Sequence, residues 1–324
     1  MSAIRPMRII GYVGRLLLAT GVLILAFVAY QLWGTGLHEA QAQNELTEQF
    51  DKMLAGESTS TTTASTEPSG PTSTLPVEVA PSEDLAVAIG DPIGRMSIPK
   101  LDVDKIVVQG VPLVELDRGP GHYPQTPFPG QAGNSSIAGH RTTYGAPFFN
   151  IDKLKQGDEI HIETLQGDFT YKMLWSKIVE PDEMWVLDTD PDHPNTLTLT
   201  ACHPRLDLTQ RYIVRAVLVG QPVPHLPGQD AAMKNYAETS DALADGITAA
   251  SHPGAWPQLL LWAALCAAIW SGVWWASRRW RRTEHRQPPR WLRATVPYVL
   301  GVPVFGIALF FAFENLSNIV PVGI

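Results

Sequence analysis

Three long stretches of this chain, Leu16–Gly36, Ala255–Ser277 and Ala294–Phe313, carry no formal charge, and they restrict its fold more than any other feature. At a helical rise of about 1.5 Å per residue, each is long enough to cross a hydrocarbon layer about 30 Å thick. The third contains Pro297 and Pro303, which a packed membrane helix tolerates because its neighbours re-satisfy the freed backbone groups. Tyr30, Trp33, Trp256, Trp274, Trp275 and Tyr298 lie towards the ends of these runs, as expected at the level of the lipid headgroups.

Charge supplies the orientation. The net charge is −8, but it is unevenly spread: Arg5, Arg8 and Arg15 precede the first run with no acid among them, and residues 278–293 hold seven arginines against Glu284. Residues 16–277 carry 14 basic and 30 acidic groups. Arginine-rich flanks stay on the cytoplasmic side, so the acidic body, residues 37–254, is expected outside the cell with the C-terminus. The loop at 278–293 would also touch anionic membrane lipids. A nucleic-acid binder would carry its basic surface on the folded domain, and this body is acidic, so that class is excluded. Ala40-Gln41-Ala42 resembles a signal-peptide cleavage site, but the preceding apolar run is longer than most signal cores and favours an uncleaved anchor.

Composition divides the chain as follows: a cytoplasmic N-terminus, 1–15; membrane helices at 16–36, 255–277 and 294–314; an extracellular stalk, 37–87; a folded domain, 88–220; a linker, 221–254; a basic cytoplasmic loop, 278–293; and an extracellular tail, 315–324. Within the stalk, residues 37–57 have weak helical spacing and suit a membrane-proximal helix. Thirteen Ser/Thr and four Pro fall within Ser58–Ser82, which leaves too little apolar surface to offset the entropy of ordering. The linker has room for a helix around Ala231–Ala250.

The folded domain reads as short strands separated by Gly and Pro: Ile93–Ile98, Ile106–Val111, Ser135–Ile137, Glu159–Thr164, Asp168–Lys177, Thr196–Thr200 and Tyr212–Val219. Phe148–Lys155 suits one short helix. Many short strands with little helix predict an all-β domain, a small closed or partly closed barrel.

Cysteine usage then narrows the chemistry. Of the two cysteines, Cys266 lies within an apolar run, so Cys202 is an unpaired thiol in an exported domain. It is either inert and buried or a nucleophile. It closes the strand Thr196–Ala201 and is followed by His203-Pro204, so a sheet would hold it rigidly at the rim. Arg211 stands nine residues on, at the start of the next strand, where an antiparallel pairing returns it to the same barrel end. His140 follows the short apolar strand ending Ile137-Ala138-Gly139, with Gly139 expected to leave room for a substrate chain.

These residues resemble the sortase family from about Ile93 to Val219. IGRMSIPKLDVDKIVVQGV (Ile93–Val111) is similar to the family's first strands. GPGHYPQTPFPGQAGNSSIAGHRTTYGAPF (Gly119–Phe148) resembles its His block. TLTACHP (Thr198–Pro204) and Gln210-Arg211-Tyr212 resemble its Cys and Arg blocks. The wording is most similar to the class E sortases of actinobacteria, with class D next. The resemblance implies a sortase barrel and a cysteine transpeptidase with Cys202 as nucleophile, His140 as general acid and base, and Arg211 as donor to the oxyanion or substrate backbone. It implies cleavage of an LAXTG- or LPXTG-like C-terminal sorting signal between Thr and Gly, then transfer of the acyl group to the amine of a lipid-linked peptidoglycan precursor. The partners implied are surface proteins that bear such signals, with no cofactor and no metal. Tyr123, upstream of His140 in the same block, is expected to help recognise the signal, or else to be a barrel aromatic with a satisfied hydroxyl. One departure stands next to the nucleophile: the family usually has Thr where this chain has Ala201, so the substrate-binding contribution of that position falls to its backbone.

Other readings have their own marks. A pilin-polymerising sortase would use a Lys of another protein as acceptor, and no obvious lid segment precedes Ile93. A silent wall-associated scaffold would not need Cys202, His140 and Arg211 together. His122, His203, Tyr144 and Arg141 read as packing or surface residues. No carboxylate stands in either the His or the Cys block, so a triad has no obvious third member. The acidic loop Glu180–Asp192 could in principle hold Ca²⁺, though a solvated acidic loop is the commoner outcome.

Overall fold

The computed structural model describes residues 6–56, 87–205, 209–239, 255–281 and 290–317. They fall into two compact units, one made of residues 1–36 with 249–323 and the other of residues 37–248. The Ser/Thr-rich segment, most of the basic loop and the C-terminal tail lie outside the described residues.

The first unit is helical. Helix α1 (Pro6–Ala29) is followed by a π-helical turn, Tyr30–Gly34, in which a Cβ on Gly34 would meet the Tyr30 ring at 2.5 Å. The two C-terminal helices, Ala255–Arg281 and Arg290–Ser317, contain segments long and apolar enough to cross a membrane, Trp256–Trp280 and Thr295–Ser317. The N-terminal apolar segment is shorter, Leu17–Ala29. Large apolar side chains on all three face outwards, including Leu18, Leu260 and Leu300. Such an exterior suits a lipid solvent and would be costly in water. The C-terminal pair packs closely at Gly301, where any side chain would collide with Val273.

The second unit is a closed barrel of eight strands: β1 (Pro92–Ile98), β2 (Val103–Gln109), β3 (Gly121–His122), β4 (Gly133–Ala138), β5 (Glu159–Thr164), β6 (Gly167–Val179), β7 (Asn195–His203) and β8 (Gln210–Leu218). Their order around the barrel is β1-β2-β3-β4-β7-β8-β6-β5. All seven strands expected from alternation and turn residues are present, with shifted ends. The two-residue β3 was too short to carry an alternating pattern. The segment expected as a helix at Phe148–Lys155 forms only a 3₁₀ turn, Ile151–Lys153. The reason is its apolar spacing: Phe148, Ile151 and Leu154 enter the barrel core every third residue, the period of a 3₁₀ rather than an α-helix.

Side-chain alternation gives the barrel two environments. Met96, Ile98, Val107, Ile137, Ile160, Ile162, Leu197, Leu199, Val214 and Ala216 fill its interior. On the outside of β4, β7 and β8 a second cluster, including Leu116, Tyr123, Val186, Leu187 and Ile213, packs beneath the β6–β7 connection. Buried Arg215 holds that connection down through the carbonyls of Val186 at 2.9 Å and Asp188 at 3.3 Å.

Residues 37–57 differ from a free stalk. Helix α2 (Thr35–Leu54) lies on the barrel wall, where Leu46 and Phe50 form a fully buried cluster with Ile106 and Val108. Burying two such side chains is worth roughly 3–6 kcal/mol together. Gln43 completes an open strand edge. Because β3 pairs only with Val108 and Gln109, the outward backbone groups of Ile106 have no strand partner. The Gln43 amide accepts from the Ile106 N–H at 2.7 Å and donates to its carbonyl at 3.1 Å, in place of a neighbouring strand. Asp51 pairs with Arg95 at 2.7 Å and Glu39 with Lys105 at 2.7 Å.

Candidate active site

The site is built at one rim of the barrel by the ends of three strands. In the antiparallel β7–β8 ladder Cys202 stands directly opposite Arg211. Strand β4 runs parallel to β7 with Ala138 beside Thr200, and the Gly139 N–H continues the ladder to the Thr200 carbonyl at 3.1 Å. His140 follows two residues after β4 ends, at this same rim. Sheet hydrogen bonding thus pairs Cys202 with Arg211 and brings the end of β4 beside them. Residues 206–208, at the tip of the β7–β8 loop, are outside the described set.

Cys202 is half-buried. Burial pushes its thiol up, and the guanidinium charges of Arg211 and Arg141 pull it part of the way back. The resting residue at neutral pH is therefore chiefly the thiol, and a thiolate must form by handing its proton to a base. Arg211 is buried at 6% exposure and donates to the Gln210 carbonyl at 2.9 Å, which directs the guanidinium along the rim.

Tyr123 is 4% exposed, with its hydroxyl against the Thr200 hydroxyl at 3.1 Å. It therefore lies under the strand that bears Cys202. Burial raises its phenol, and Thr200 and Arg211 offset part of that rise. Ala201 points the other way, into the barrel core, so its methyl group faces away from the side on which Cys202 stands. Gly139 has a different role from the one its sequence setting implied: a Cβ there would meet the Phe148 ring at 2.7 Å, so the space serves core packing.

Several residues that read as bland in the sequence touch the site. Arg141, 4% exposed, donates to the Cys202 carbonyl at 3.2 Å, approaches His203 Nδ1 at 2.9 Å and pairs with Asp152 at 2.9 Å. It ties the loop after His140 to the end of β7. The Tyr144 ring stacks on His140 with centroids 5.2 Å apart. Asp117, well upstream of His140, places Oδ1 3.3 Å from His140 Nε2. Only the barrel's closure brings it there, since neither sequence block contains it. His122 is different: it is fully buried, held by the Gln109 amide at 2.8 Å and the Pro127 carbonyl at 2.9 Å, and belongs to the packing. In the acidic loop, Glu183 accepts from the Glu180 N–H and Trp185 Nε1, and Asp190 from the Asp192 N–H. Among the described residues no group of three His, Cys, Asp or Glu is placed to hold a metal.

A cysteine, a histidine and an arginine at one barrel rim invite comparison with known proteins, and residues 96–219 match the family described as the sortase domain. Residues 96–219 form a sortase domain. Sortase SrtE1 of Streptomyces coelicolor is 33% identical over 222 residues, which cover 64% of this chain and 56% of that protein. Sortase D of Bacillus subtilis is 31% identical over 115 residues, covering 36% of this chain and 56% of that protein. The chain therefore spans just over half the length of those two relatives. Sortase SrtE2 of S. coelicolor is 28% identical over 234 residues, covering 66% of this chain and 85% of that protein. The crystal structure of sortase E1 from S. coelicolor with a tripeptide in its active site is 36% identical, with 41% of this chain and 91% of that one covered and a TM-score of 0.39.

Proposed function

We propose that this sortase is a membrane-anchored cysteine transpeptidase that cleaves an LAXTG-like C-terminal sorting signal between Thr and Gly and passes the acyl group to an amine of a cell-wall precursor. The observation that carries this reading is the cross-strand pair Cys202–Arg211 at the rim where the adjacent parallel strand β4 ends, two residues before His140. The Cys202 sulfur attacks the threonine carbonyl carbon as its proton moves to His140. Arg211 donates to the oxygen as it gains charge. The C–N bond breaks, His140 returns the proton to the departing glycine amine, and a thioester remains on Cys202. An incoming amine attacks the thioester, loses a proton to His140 and expels the sulfur, which regains its proton.

Tyr123 and the Ala201 backbone support the sorting peptide near the nucleophile in this reading. Arg5, Arg8, Arg15 and the arginines of 278–293 stay in the cytoplasm, three spans cross the membrane, and the barrel works outside. The client proteins are surface proteins that end in sorting signals, and the precursor is lipid-linked peptidoglycan.

Incubation of the full chain with LAXTG peptides should leave an acyl adduct on Cys202 by mass spectrometry, and Cys202→Ala should lose both adduct and cleavage. Equal cleavage by that variant would sink the mechanism. A reporter fused after Ile324 that is active only in the cytoplasm should stay silent; a strong signal would mean an even number of spans.

A further inference from the structure

We infer that Asp117 is a positioning residue: its carboxylate holds His140 in the Nε2–H tautomer, leaving Nδ1 to exchange the proton with Cys202 and the departing amine. The inference rests on the transpeptidation proposed above and adds a residue to it.

The geometry constrains the ring from two sides. A carboxylate oxygen only accepts, so at the 3.3 Å contact the hydrogen belongs on Nε2. The bond made by one ring nitrogen decides the state of the other. Tyr144 meanwhile covers a face of the ring, with centroids at 5.2 Å and 30° between planes. The two side chains in the contact, 17% and 14% exposed, are largely removed from solvent. That separates the pair from an exposed ion pair, whose contribution is commonly near zero.

The holders of the ring are themselves held, and by the same helix. The Asp117 N–H ends helix α3 (Leu113–Leu116) on the Leu113 carbonyl at 2.8 Å. The next carbonyl, of Arg118, accepts from Gln43 of α2 at 2.9 Å, and a side chain at Gly119 would collide with Gln43. The Arg118 guanidinium goes to Glu115 at 2.8 Å and the Gly90 carbonyl at 3.0 Å, which leaves the Asp117 carboxylate to His140. On the other side, Tyr144 and Ala146 sit at φ 47° and 43°, left-handed positions that cost a non-glycine residue on the order of 1 kcal/mol or more. Such a loop keeps its shape only where its surroundings impose it. Here His38 of α2 meets the Tyr144 ring edge-on at 6.3 Å, and Glu39, paired with Lys105, fills the space a Cβ on Gly145 would need. Asp117 and Tyr144 are thus both positioned by a helix that precedes the matched family segment by more than forty residues.

The decisive experiment uses the detergent-solubilised full chain with ¹⁵N-labelled histidine, the His140 signals assigned by their loss in His140→Ala. Wild type should give the Nε2–H pattern for His140. Asp117→Ala should give a mixture of tautomers and lower kcat roughly 10- to 100-fold on an LAXTG peptide, with KM within about twofold. Asp117→Asn, whose Oδ1 still accepts, should restore the Nε2–H pattern and most of kcat. An unchanged His140 pattern in Asp117→Ala, or a raised KM at unchanged kcat, overturns the inference. If wild type turns over no sorting peptide, the transpeptidase reading fails by itself. The rate of Cys202 alkylation by iodoacetamide then decides the positioning role: slower in Asp117→Ala and recovered in Asp117→Asn supports it, equal in all three overturns it.

Discussion

On β7, Leu197, Leu199 and Ala201 enter the barrel core, while Thr196, Thr198, Thr200 and Cys202 stand on the opposite face. Strand β8 continues both surfaces, with Val214 and Ala216 inward and Arg211, Ile213 and Arg215 outward. The two faces are equally buried up to the rim, yet different forces order them. Volume orders the inner face, where side chains are chosen to fill space. Hydrogen-bond satisfaction orders the outer face: the Thr196 and Thr198 hydroxyls both donate to Asn134 Oδ1, and Arg215 donates to Thr196. Cys202 and Arg211 stand where this hydrogen-bonded face reaches the rim. The comparison implies that inner-face changes alter stability at constant activity per folded molecule, whereas outer-face changes near the rim alter activity.

The largest effect expected of this division is on Leu199, fully buried between Ile137 and Val214. Leu199→Ala should cost about 2–5 kcal/mol in denaturant unfolding while kcat per folded molecule stays within about twofold. A tenfold loss of kcat would break the separation of the faces.

His122 is a polar residue buried on this framework, and it makes the comparison pH-dependent. Burial holds its pKa down to about 4, against a partial rise from the Pro127 carbonyl. The unfolded chain takes up this proton near pH 6.5 while the folded one does not, so stability is fully present above pH 6.5 and falls as the pH drops towards 4. The loss amounts to about 3 kcal/mol across that window. Urea unfolding at pH 7 and pH 4.5 should differ by most of this amount in wild type and by clearly less in His122→Gln; equal differences would remove His122 as the cause.

The smallest effect concerns the departure from the family pattern. Ala201→Thr puts a hydroxyl and a methyl into the core, so it should destabilise by about 1–2 kcal/mol and change kcat by less than about threefold. A large gain in kcat would mean that the side chain at 201 reaches the substrate after all.

The strands and the three site blocks were legible because local signals encode them. Alternation along Tyr212–Val219, the Gly and Pro punctuation, and a lone cysteine at a strand end all act over a few residues. Helix α2 was legible as a helix but not as part of the barrel, because most of its buried stripe, Thr35, Glu39 and Gln43, is polar. Glu39 and Gln43 lie in line with Leu46 and Phe50, and their partners, Lys105 and Ile106, stand on β2, across the whole Ser/Thr-rich segment. Asp117 and Tyr144 escaped for the same reason. An aspartate at a turn and a tyrosine in a loop have no periodic mark, and each acquires its partner only when the barrel closes.

By itself the sequence determined which segments prefer lipid and which form strands, and its motif wording pointed to Cys202, His140 and Arg211, since hydropathy, alternation and motif wording are properties of short stretches. Only the tertiary structure decided which face of β7 carries the thiol, that Gly139 yields to Phe148, and that α2 grips the loops around His140. These are contacts between residues far apart in the chain, and they exist only after the entropy of bringing those residues together has been overcome.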